Sequence, residues 1–328
     1  MARVFSGIKP TGHLTLGNYL GAVRQWVAAP DDGLFCVVDL HALTVEHDPA
    51  RVRRLSRQAA TLLLAAGLDP ERCTLFVQSH VDEHTRLAYL LECTASDGEL
   101  RRMVQYREKA AKAQTSGEQV RLSLLTYPVL MAADILAYET DEVPVGDDQR
   151  AHVELARDLA VRFNQRYGRT FTVPRAVYPA VAARVMNLQD PASKMGKSDD
   201  SGPGVVYLLD EPEAVRRKVM RAVTDNEGGV VYDRASRPGV ANLLDVLAAC
   251  TGGDPERLAA GYEGYGALKR DVAEAVVEVL RPVRERHAEL AADPAEVERV
   301  LRAGAERARG LARPVVDRAY GAIGLLVP

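Results

Sequence analysis

The feature that most constrains this chain is a change of rhythm along its length. Up to Gln78, short β-type runs, "RVFSG", "LFCVVD" and "TLFVQ", alternate with helical patterns near residues 17–28 and 49–66. Such alternation reads as a parallel sheet with crossover helices. The pattern then turns helical through Cys93, Met103 and Val120 to Tyr138, returns to a strand at "EVPVG", and continues as a helix over 149–163. From Glu211 onward only helical periodicity remains, as in "VAEAVVEVLRPVRERHAEL". The expectation is an α/β domain over 1–190 with a helical insertion at about 79–140, followed by an all-α region over 191–328. The joint falls at 190–204, where Pro191, Gly196, Gly202, Pro203 and Gly204 interrupt any regular structure.

A chain of 328 residues exceeds one typical core, consistent with two domains. Its apolar runs fall short of the ~18 residues of a spanning helix and "MARVFSGIKP" has no export signal, so the expected location is the cytoplasm, with no membrane partner. Cys36, Cys73, Cys93 and Cys250 lie far apart with no C-x-x-C, which argues against a zinc or iron–sulfur site and against a disulfide framework; no protein-ligated metal is expected. The net charge of −3 does not announce a nucleic-acid binder. From Glu211 onward, 18 basic residues face 19 acidic ones, so any polyanion contact must rest on a local patch.

Against this background three stretches carry chemistry. The segment "FSGIKPTGHLTLGN" follows the first strand and feeds the first helix, a place where backbone N–H groups and a helix start can seat phosphate. Thr15 and Asn18 could aim a hydroxyl and an amide at the same phosphate; the alternative is a glycine-rich turn in which Thr15 caps the helix. In "LLTYPVLMAADILAYETDEVPVGDDQ", Asp134 is the only charge between Arg121 and Glu139. Tyr127, Met131 and Asp134 share a helical stripe, and a buried carboxylate needs a donor. That donor is either an internal arginine or pair of backbone N–H groups, or a ligand. A slot lined by Met131, Val143 and Val145 with one acceptor at its end suits a flat ring with a single N–H, such as indole. The third stretch is "SKMGKSDD". Only seven of the 42 basic residues are lysine, yet Lys194 and Lys197 stand here three apart around Gly196, either as a solvated linker or as mobile ammonium groups that neutralise charge on departing pyrophosphate.

Taken together these stretches resemble the class I aminoacyl-tRNA synthetase family, and most nearly its bacterial tryptophanyl-tRNA synthetases. "TLGN" is similar to that family's HIGH signature and "KMGKS" to its KMSKS loop, while "VDLHALTV", "QSHV", "LLTYPVLMAADILAY", "VPVGDDQ" and "RVMNLQDPASKMGKS" occur in the family's order over essentially the whole chain. The resemblance implies a Rossmann-like catalytic domain, a helical domain meeting the anticodon, and a homodimer. It implies that ATP, with Mg2+, activates L-tryptophan to tryptophanyl-adenylate, which tRNA(Trp) then accepts. By match, Asp134 takes the indole N–H, and Phe5, Gly7, His41, Tyr127, Met131, Val143, Val145 and Gln149 shape the amino-acid pocket. Lys9, Pro10, Thr11, Gly17, Asn18, Gly146, Asp147, Asp148 and Val185 surround ATP together with Lys194, Met195, Gly196, Lys197 and Ser198. The catalytic set is Thr15, Asn18, Lys109, Lys194 and Lys197.

Two positions depart from the family pattern: Lys9 where glutamine is usual and Gly196 where serine is. An added ammonium beside the substrates implies stronger ATP dependence on Lys9 and altered sensitivity to tryptophan-mimicking inhibitors, with neutral drift as the alternative. Three rival readings stay open. They are a tyrosyl-tRNA synthetase of the same fold, a small-molecule adenylyltransferase, and a silent paralogue that binds tRNA.

Overall fold

The computed structural model describes residues 2–29, 31–117, 119–146, 149–177, 184–196 and 202–326. Three parallel strands, β1 (Phe5–Ile8), β2 (Leu34–Val37) and β3 (Thr74–Val77), pair in that order, and β4 (Glu142–Pro144) pairs with β5 (Arg175–Val177). A parallel bridge from Val4 to Glu142, with the Asp141 and Glu142 N–H groups donating to the Arg3 carbonyl at 3.0 and 3.1 Å, joins them in the order β3-β2-β1-β4-β5. The order reverses between β1 and β4. In open parallel sheets a ligand crevice lies beyond the carboxyl ends of such a pair. Here those ends lead into Lys9 and Pro10 on one side and Val145 and Gly146 on the other.

Strands β2 and β3 are buried on both faces, as parallel strands covered by helices must be. Alternation sorts them cleanly. Ile8, Phe35, Val37, Leu75 and Val77 enter one core, while Phe5, Leu34, Cys36 and Phe76 enter the other. The first crossover is a broken helix: α1 (Leu16–Asn18), a π-helical turn (Tyr19–Val23) and α2 (Arg24–Val27). The second crossover, α3 (Pro49–Ala65), starts at Asp48, whose carboxylate accepts from the Ala50 and Arg51 N–H groups. Between β3 and β4 lie α4 (Glu83–Glu92), α5 (Asp97–Arg102), α6 (Val104–Ser116) and α7 (Leu122–Leu136), where the sequence places a helical insertion. Helix α8 (Arg150–Tyr167) leads to β5, a short strand that the sequence pattern does not reveal.

The regular elements that follow among the described residues are all helices: α9 (Pro212–Met220), α10 (Pro238–Thr251), α11 (Pro255–Ala259), α12 (Tyr265–Ala292) and α13 (Pro294–Ala322). Helix α13 turns back onto the sheet and covers the outer edge of β3, where unpaired strand edges invite association. The approach is close: a Cβ added at Gly304 would lie 1.9 Å from the Leu75 carbonyl oxygen. Arg307 donates to the Pro70 and Cys73 carbonyls, and Arg309 to that of His80. Val297 and Leu301 fill one core and Ala305, Ala308, Val315 and Val316 the other, so neither core stops at residue 190.

Candidate active site

Helix α7 carries Asp134 into the interior, where the residue is 1% exposed. Among the described residues the donors are not an arginine or backbone N–H groups. Three side chains supply them: His41 Nε2 at 2.9 Å to Oδ2, and Gln78 Nε2 at 2.7 Å and His84 Nδ1 at 2.6 Å to Oδ1. Burial pushes the carboxyl up, but the hydrogen bonds and proximity of His41 and His84 outweigh it and hold Asp134 at about 2. A carboxylate only accepts, so the proton of His84 sits on Nδ1 and the Tyr138 hydroxyl donates to Nε2 at 2.7 Å. Tyr138 is fully buried and stacks on Phe5 with centroids 5.7 Å apart. Gln78 also accepts from the Leu40 N–H at 3.1 Å, tying together the 3-10 turns Leu40–Thr44 and Gln78–His80 that hold His41 and itself. A carboxylate offers about four acceptor positions. Among the described residues Oδ2 accepts from His41 alone, which leaves one position on that oxygen.

Beside the carboxylate, the half-buried Tyr127 ring meets His41 edge-on at 6.2 Å and the Lys109 ammonium at 5.2 Å, and its hydroxyl bonds to His152 Nε2 at 2.9 Å. Burial pushes the Tyr127 phenol up to about 12 and pulls Lys109 down. Lys9, at the end of β1, donates to Thr44 Oγ1 at 3.3 Å. Burial and then the charge of Lys109 lower it to about 8. Two ammonium groups thus share one partly desolvated region, a setting that favours a polyanion. Gly7 packs closely on the next strand, where a Cβ would meet Val38 Cγ1 at 2.8 Å.

The two signature stretches meet directly. Thr15 caps α1 in a reciprocal box: the Asn18 N–H donates to its Oγ1 at 3.3 Å, and the Thr15 N–H to Asn18 Oδ1 at 3.1 Å. Thr15 is 0% exposed and its hydroxyl also approaches the Met195 carbonyl at 3.3 Å. The cap is thus formed, and it also locks the lysine segment onto the helix start. Gly17 permits this, since a Cβ there would lie 3.2 Å from the Met195 oxygen. Beneath it Val185 and Met195 are buried, Val185 accepting from the Met195 N–H at 3.1 Å. Met186 bridges Lys194, and the Asn242 amide grips Met186 at both backbone N–H (2.8 Å) and carbonyl (3.1 Å). A joint that composition makes flexible is thus pinned on its described flanks.

Of the residues the sequence singles out, Phe5, Lys9, His41, Lys109, Tyr127 and Asp134 converge through the contacts above, as do Thr15, Gly17, Asn18, Val185, Lys194 and Met195, while Gly7 lies against Val38 and Gly196 is half-buried. Pro10 and Val143 are buried, Thr11 and Gly146 exposed, and Met131 and Val145 half-buried. The half-buried Gln149 closes a turn by donating its N–H to the Gly146 carbonyl at 2.9 Å. Asp147, Asp148, Lys197 and Ser198 lie outside the described residues. The sequence reading missed Gln78, His84, Tyr138 and Asn242 as individual functional residues. The available signal for the first three was the demand of a buried lone acid for donors.

A crevice at the strand-order switch point, with a buried carboxylate and two neighbouring lysines beside it, is the frame of a nucleotide-using α/β enzyme. Residues 1–281 match the family model for class I tRNA synthetases of the W and Y type, and the chain belongs to that family, on its bacterial tryptophanyl branch. It is 76% identical to tryptophan–tRNA ligase 1 of Streptomyces coelicolor, over 100% of this chain and 98% of the relative. Among solved structures, tryptophanyl-tRNA synthetase from Mycoplasma pneumoniae superposes with a TM-score of 0.92 at 34% identity, covering 99% of this chain and 98% of that one. The Campylobacter jejuni synthetase, complexed with ADP and tryptophan, gives 0.84 at 32% identity, covering 98% and 100%. No helix among the described residues is long and apolar enough to cross a membrane.

Proposed function

We propose that this tryptophan–tRNA ligase recognises its amino acid through the remaining acceptor position on Asp134 Oδ2, which takes the indole N–H. The observation that supports this most is the geometry of the carboxylate: three internal donors hold it ionised, and one oxygen keeps room for a fourth. Tyr127, Met131, Val143 and Val145 form the ring's apolar walls. ATP lies across the β1–β4 crevice, with Lys9, Lys109, Lys194 and Lys197 around its phosphates and Mg2+ entering as part of the nucleotide substrate. The tryptophan carboxylate attacks the α-phosphorus, the bond to pyrophosphate breaks, and lysine charge stabilises the departing group. Attack by the terminal ribose hydroxyl of tRNA then releases AMP. The enzyme works in the cytoplasm as a homodimer, with the exposed apolar side chains Tyr89, Val104 and Leu122 on α4, α6 and α7 available for a partner copy.

The test is ATP–pyrophosphate exchange with tryptophan, tyrosine as control. A site built to bond a donor rejects analogues that lack it by large factors. Wild-type exchange should depend on tryptophan, and Asp134→Asn should lower it by at least about 100-fold with the protein still folded by circular dichroism. Equal exchange with tyrosine, or an unaffected variant, would overturn the assignment.

A further inference from the structure

Because charge is nearly balanced over the helical region, an RNA substrate needs a local basic patch on this molecule. Several arginines of α13 already hold other groups of the chain. Arg307 is tied to the β3 edge, Arg313 to Asp317, and Arg318 to Glu139 and the Thr170 carbonyl. Arg302 is different: among the described residues it makes no hydrogen bond or ion pair, and it lines a groove of about 660 Å³ between α13 and α3. Arg53, on α3, lines the same groove and is equally uncommitted. Arg57, Arg309, His47 and His80 add to the lining. The two acids there are already engaged, Asp39 by the Ser79 N–H and hydroxyl and Glu298 by Arg57 at 3.0 Å. Between the arginines the lining is apolar, with Leu43, Val52, Val77, Val297 and Leu301.

We propose that this groove takes an unpaired stretch of the tRNA substrate, its phosphates on the arginines and its bases against the apolar floor. The inference rests on the tRNA-ligase reading above. The chemistry favours a single strand, since duplex RNA presents its backbone but keeps its bases stacked inside. An uncharged partner would leave Arg53 and Arg302 without a counter-charge. The groove is also lined by residues of the two turns that carry His41 and Gln78 to Asp134, yet it contains none of the residues assigned to tryptophan or ATP.

The experiment pairs two assays on the full-length protein. Arg53→Glu/Arg302→Glu, with Arg53→Gln/Arg302→Gln as the milder version, should leave tryptophan-dependent ATP–pyrophosphate exchange, which needs no RNA, within about two-fold of wild type. Aminoacylation of a tRNA(Trp) transcript should lose at least about 10-fold in kcat/KM, mainly through KM, and its log–log salt dependence should flatten by roughly 1.4 in slope. Intact exchange with undiminished charging overturns the groove assignment alone. Undiminished charging with altered association in sedimentation overturns it in favour of a chain–chain interface. A wild-type protein without tryptophan-dependent exchange overturns the underlying reading, and the groove with it.

Discussion

At the scale of single residues, the site is a problem of keeping charges where water is scarce. Asp134 solves it with three side-chain donors, whereas Lys9 is held in a place that disfavours its charge. The sign of the consequence follows from linkage. Lys9 titrates near 8 in the folded protein and near 10.5 in its ordinary state, so the unfolded chain binds more protons between those values. The folded state therefore carries a penalty that is complete below pH 8 and fades as pH rises towards 10.5. Lys9→Gln should raise Tm at pH 7 and lose that advantage by about pH 10.5. Its KM for ATP should no longer rise as pH passes 8. Thermal melts and exchange kinetics across this range check both. Much of the acid's situation was legible in sequence, because a lone charge in an apolar helix must find donors. Their identity was not, since Gln78 and His84 lie 56 and 50 residues away and only the fold brings them near.

At the scale of elements, placement matters more than composition. The lysine segment reads as a loose linker, with proline and glycine on both sides, yet its described part is anchored through Met186 to α10 and through Met195 to α1. Cap and loop form one unit. Asn242 is the link whose removal is cleanest to test: Asn242→Ala strands a backbone N–H and carbonyl, costing about 1–3 kcal/mol. We expect the rate of adenylate formation to fall at least about 10-fold with KM for tryptophan nearly unchanged, as measured by single-turnover kinetics and exchange. The alternating strands and the helical insertion were legible because periodicity is local. The short β5 and the π-helical turn in the first crossover were not, because three residues of strand or one widened turn leave no periodic trace.

At the scale of the whole molecule, α13 decides how the parts cohere. Gly304→Ala forces a methyl against the Leu75 carbonyl and should cost more than ~2 kcal/mol, whereas Gly310→Ala, with open space around its added Cβ, should be neutral or stabilise by up to ~1 kcal/mol. Denaturant titration of the two variants separates a contact effect from helix propensity. Sequence reading divides the chain at a plausible loop, since linkers announce themselves in composition, but nothing in a helical repeat says which helix returns to a distant sheet. The return of α13 has an evolutionary corollary. A lineage exchanging its helical region for another could not cut at the obvious seam; it would have to retain this last helix, or evolve a new lid for the strand it shelters.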